Sequence, residues 1–132
     1  MSTEKERVLE ETTRLRGFRY GLHDFLAEID LGGLKELNKK VYAEYLGESL
    51  LDRKTKELLL VVACIAEKDT VEHLKVHMHA ANRAGASPQE LLEAIMLVGG
   101  WVGNVSRANG LEAWRATFRP DLPSIDRAVE LR

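Results

Sequence analysis

Nine consecutive apolar residues, Leu58–Ala66 (LLLVVACIA), constrain the fold of this chain more than any other feature. A run of that length has no polar face, so other elements must surround it. Periodicity alone also allows a buried strand. Its Leu and Ala content favours a helix, and Asp52 is a good N-cap for one running from Arg53 to Glu67. This is expected to be the central helix. Elsewhere β-branched residues do not alternate with polar ones, and only three prolines occur. The expected fold class is all-α, a bundle of about six to seven helices.

The remaining helices follow from caps and spacing. Thr3 with Glu6 is a capping-box pattern opening a helix from Glu4 to Arg16. Leu22, Phe25, Leu26 and Ile29 predict a short helix over Gly21–Ile29. Asp30-Leu31-Gly32-Gly33 reads as a break, followed by a helix over Leu34–Tyr45. Thr70 starts a helix with three histidines that ends at Gly85. Ser87-Pro88-Gln89-Glu90 starts another, running to Val98. Gly99, Gly100 and Gly103 break the chain before a last helix, Asn104–Phe118. The tail from Ser124 to Arg132 is expected to form a short docking helix.

With 132 residues, the chain is expected to be a single domain, 1–132. Hydrophobic residues make up 45% and charged ones 30%, a balance that excludes disorder. The net charge of -2 gives no electrostatic footprint for nucleic acid. No apolar run approaches the roughly 18–20 residues needed to span a bilayer, so no membrane partner is expected. The charged N-terminus lacks the apolar core of a signal peptide. The single cysteine, Cys64, cannot form an internal disulfide. Together these point to a cytoplasmic location.

Three residues suggest proton-transfer chemistry. Glu57 stands at the mouth of the apolar helix, and His73 and His77 lie four apart on the next one. Imidazoles exchange protons near neutral pH. His79 is turned roughly 200° from His77, so it belongs to another face. Glu57 with His73 and His77 is also a donor set that zinc uses. The Glu that usually follows the first His in such helices is replaced by Leu74, so no metal and no other cofactor is expected. Arg83, Arg107 and Lys75 are candidates to grip a carboxylate, a task suited to the fixed fork of Arg. Trp101 and Asn104 stand in the glycine turn and are candidate pocket residues.

About two-thirds of the chain, Asp30 to Phe118, resembles the carboxymuconolactone decarboxylase family, which includes the AhpD-like alkylhydroperoxidases. Three segments carry the resemblance by their order and spacing. They are Asp52-Arg53-Lys54-Thr55-Lys56-Glu57-Leu58, then His77 with Gly85-Ala86-Ser87-Pro88-Gln89-Glu90, then Trp101-Val102-Gly103-Asn104-Val105. The peroxidase branch has Cys-x-x-Cys just before the histidine. Here those positions are Thr70 and His73, and Cys64 lies inside the apolar run, where a thiol resists ionisation. Peroxide reduction is therefore disfavoured.

The resemblance implies the other branch, a cofactor-independent decarboxylase acting on a small carboxylated lactone or diacid such as γ-carboxymuconolactone. It implies Glu57, His77 and His73 as the acid–base group and a pocket turn holding Trp101 and Asn104, with Arg107 and Arg83 as the candidates to grip a substrate there. It also implies a homo-oligomer, trimeric or hexameric. The alternatives are a non-catalytic helical assembly or binding module on the same scaffold and a thiol-independent or metal-dependent oxidoreductase.

Overall fold

The computed structural model describes residues 1–132. It is all-helical, with seven α-helices in the order α1 (Glu4–Arg16), α2 (Gly21–Ile29), α3 (Leu31–Val41), α4 (Arg53–Ala66), α5 (Val71–Arg83), α6 (Pro88–Val102) and α7 (Asn104–Phe118). None is long and apolar enough to cross a membrane. The chain folds as two units, Met1–Arg53 and Lys54–Arg132.

In the first unit, α1 opens on the expected capping box between Thr3 and Glu6. α3 starts three residues earlier than its sequence suggests. The Asp30 carboxylate accepts the Gly33 N–H and caps the helix, so the two glycines fall inside the first turn. After Val41 the helix widens into a π turn, Tyr42–Leu46, closed by the Gly47 N–H donating to the Tyr42 carbonyl at 2.9 Å. α1, α2 and α3 pack on one another. Their interior holds Leu15, Ala27 and Leu34 together with polar Thr12, Arg16, His23 and Asn38.

The second unit has the larger apolar core. Val61 and Ile65 of α4 meet Leu74, Met78 and Ala81 of α5, Leu91 and Ile95 of α6, and Ala113 of α7. α6 and α7 run antiparallel. Trp114 donates its indole N–H to the Pro88 carbonyl at one end, and Arg107 lies against Gly99 at the other. A Cβ on Gly110 would meet Ile65 and Ile95 at 3.1 and 3.2 Å, so glycine sets how closely α7 approaches.

Three expectations are corrected here. α6 does not stop at Val98 but runs through Gly99 and Gly100 to Val102. Helical glycine leaves room for Arg107, whose side chain would collide with a Cβ at position 99. The tail Ser124–Arg132 contains no helix. Its start is tied instead by hydrogen bonds to α7: the Ile125 N–H donates to Glu112, and Arg115 donates to the Leu122 carbonyl. Finally, α4 is not covered all round within the chain. Glu57, Val61 and Ile65 form its buried stripe at i, i+4 and i+8, while Leu59 is 55% exposed.

Candidate functional site

α5 begins where the Thr70 hydroxyl accepts the His73 N–H. That cap fixes the register of the helix, so Asp69, His73 and His77 follow one another at four-residue intervals along one face. Asp69 and His73 are bonded through the carboxylate and Nδ1. His73 then meets His77, Nε2 to Nε2 at 3.0 Å, with ring centroids 4.4 Å apart and planes at 88°. His77 is buried among Leu74, Met78 and Ala81, whereas the side chains of His73 and Asp69 retain 30% and 22% exposure. The chain of groups therefore leads from a solvent-accessible carboxylate to a buried imidazole.

The proton positions follow from the donors available. Burial works to raise the Asp69 carboxyl, but hydrogen bonds from His73, the Thr70 N–H and Cys64, with the charge of His73, hold it below its ordinary value. Asp69 is thus an acceptor at neutral pH. His73 must carry its proton on Nδ1 to serve it. In neutral His73 the Nε2 lone pair then accepts from the Nε2–H of His77. A proton added at one end of this chain can leave at the other by a switch of tautomers.

Cys64 completes the cluster. Its Sγ and one ring nitrogen from each of His73 and His77 lie within 4.8 Å of one another. The sequence places this thiol inside an apolar run, but it is half-buried on the α4 face that meets the histidines. Glu57, fully buried, lies seven residues earlier on the same face. That is about 10 Å along the helix, on the side away from the α4–α5 connection. His77 is also on the far side of His73 from that connection.

A cleft of about 500 Å³ opens over Asp69, lined by Lys68, Asp69, Thr70, Val105, Ala108, Asn109 and Asp126. Its size suits a small organic ligand. Lys68 stands at the rim with φ of 57°, a left-handed conformation rare for a side chain of its size. Asn109 donates its side-chain amide to the Asp69 carbonyl and ties α7 to the connection. A larger groove, about 670 Å³, lies between α1 and α3, but it contains none of these groups.

The other candidates lie elsewhere. Trp101 is 88% exposed, and Asn104 and Arg83 are exposed. Arg107 is half-buried along Gly99 and Gly100, and its Nε has no hydrogen-bond partner. His79 is exposed, as its angle predicts. Sequence reasoning missed Asp69, Lys68 and Asn109 and set Cys64 aside. The spacing Asp69-x-x-x-His73-x-x-x-His77 was the available signal for Asp69.

A sequence model of the carboxymuconolactone decarboxylase family matches residues 33–116. No curated protein and no solved structure gives a significant match.

Proposed function

The chain belongs to the carboxymuconolactone decarboxylase family, and on that premise we propose that it decarboxylates a small carboxylated lactone or diacid by acid–base chemistry without a cofactor. The observation that carries this reading is the 3.0 Å contact between His73 and His77, backed by the ionised Asp69. In the proposed reaction the bond from carbon to carboxylate breaks and carbon dioxide leaves. The electron pair passes into the conjugated carbonyl, giving a dienolate. In the switched tautomer His77 carries its proton on Nδ1 and delivers it to carbon. Its Nε2 then takes a proton from His73, and His73 takes one through Asp69 from solvent. Such positioned proton transfer contributes about 10²–10⁴-fold. Glu57 is assigned to orienting or recharging His77, and the cleft over Asp69 to admitting the solvent protons that refill the chain. Donors aimed at the dienolate oxygen lower the barrier further.

Self-association is part of the proposal. Leu97 and Trp101, four residues apart on α6, are 70% and 88% exposed, and Val105 at the start of α7 is 74% exposed, apolar groups suited to contact with a second copy that would also cover Trp101. Sedimentation of wild type against Trp101→Glu tests it, with a lower mass expected for the variant.

Turnover of freshly generated γ-carboxymuconolactone, followed by NMR, tests the reaction. Wild type is expected to release carbon dioxide and form the enol-lactone, and His77→Ala to be nearly inert. Equal rates in the two proteins would remove His77 from the mechanism. An inactive wild type would leave this compound out and direct the search to other carboxylated lactones and diacids.

A further inference from the structure

We propose that Cys64, His73 and His77 form a three-ligand site for a thiophilic divalent metal ion of the zinc class, supported by Asp69. The three donor atoms already lie within 4.8 Å of one another. Tetrahedral zinc, with bonds of about 2.0–2.1 Å to nitrogen and about 2.3 Å to sulfur, holds such atoms roughly 3.3–3.7 Å apart. The imidazoles, 3.0 Å apart, need only open by a few tenths of an ångström. The thiol needs to move inward by at most roughly 1.1–1.5 Å. Side-chain torsions cover both.

The surroundings match what a metal-bound imidazole requires. Its outer nitrogen is normally held by a carboxylate or carbonyl, which fixes the tautomer and aims the lone pair of the other nitrogen at the metal. Asp69 holds Nδ1 of His73 in this way, leaving Nε2 for the ion. Thiolate and imidazole donors favour zinc over magnesium or calcium, which prefer oxygen. The set differs from the Glu57–His73–His77 alternative legible in the sequence, because the third donor is a thiol. Three protein ligands leave a fourth position open for water or a small molecule.

This site goes beyond the decarboxylase reading and constrains it. The metal takes the same Nε2 atoms that pass the proton between His73 and His77. The metal-loaded chain therefore cannot run the relay, and bound zinc acts as an off-switch. Binding is read without substrate, so it stands or falls separately from the proposed reaction.

The test is a titration of the full, chelator-stripped chain with Co²⁺ alone, followed by absorbance. One equivalent should bind with tetrahedral d–d bands and a thiolate-to-cobalt charge-transfer band, and Zn²⁺ should displace it. Cys64→Ser should lose the charge-transfer band, and Asp69→Asn should weaken binding by about 10–100-fold. Failure of wild type to bind one equivalent overturns the proposal, and so does a cobalt spectrum without the thiolate band. Because wild type alone decides both points, a variant that fails to fold does not blunt the test. Circular dichroism checks the variants. If metal-free protein fails to turn over the lactone while cobalt binds as described, γ-carboxymuconolactone is excluded as the substrate and the metal site stands.

Discussion

In the first unit the buried polar side chains close on one another. The Thr12 hydroxyl and the Asn38 side-chain amide are paired at 3.0–3.1 Å, and Arg16 lies over the rings of Phe18 and Tyr45 at 4.9 and 4.3 Å. In the second unit one set of polar groups forms a line that starts at a cleft and ends in the core: Asp69, His73, His77, with Cys64 beside them. Both arrangements satisfy the rule that buried polar groups need partners. The first is a closed set that fixes helix packing, and the second is an open chain with titratable members that can move a proton. Burying a polar side chain is thus a weak sign of function, and where its network leads is a stronger one.

The largest expected effect breaks the open chain. His77→Ala should lower turnover of the proposed substrate by about 10²–10⁴-fold, while Asn38→Ala should leave kcat unchanged. Steady-state kinetics on both variants checks the contrast, and a comparable loss in Asn38→Ala would erase the distinction between the two networks. Next comes the core that shields the histidines. Leu74 is fully buried, and Leu74→Ala should cost about 2–5 kcal/mol in chemical denaturation. Gly99→Ala forces Arg107 off α6 and should cost about 1–3 kcal/mol by the same measurement. Asn38→Ala should cost only about 1 kcal/mol, because Thr12 keeps its bond to the Val8 carbonyl.

Acid sharpens the comparison with a smaller effect. Burial pulls His23 in the first unit below its ordinary 6.5, an effect that Arg16 and Arg19 reinforce and Asp24 opposes. Its neutral form therefore stabilises the fold fully above 6.5, and that contribution is lost as pH falls through the lowered value. In the second unit, Arg115 and the Ile125 N–H, with Ser124, outweigh burial and bring Glu112 down from 4.5 to about 2. The tail clasp is therefore complete above 4.5 and lost as pH falls towards 2. Hydrogen exchange across this range should show the first unit loosening before residues 119–125. The reverse order would contradict the assignment.

Much of the fold was legible because caps are local. Thr3 with Glu6, and Ser87, Pro88 and Glu90, each set a helix start that the structure reproduces. The continuation of α6 through Gly99 and Gly100 was not legible, because it depends on Arg107 arriving from another helix. The histidine pair was readable from its four-residue spacing. The orientation of Cys64 was hidden, because within an apolar run every direction looks alike until α5 folds back on one of them. The tail departs from its expected helix because its capture by Glu112 and Arg115 is a tertiary event.

The central claim is that Asp69, His73 and His77 act as one coupled proton path. Histidine side-chain ¹⁵N NMR of the metal-free chain tests it most directly. The account predicts His73 protonated at Nδ1, with a downfield proton that disappears in Asp69→Asn, and a scalar coupling across the hydrogen bond between the two Nε2 atoms. A His73 protonated only at Nε2 and uncoupled from His77 would contradict it.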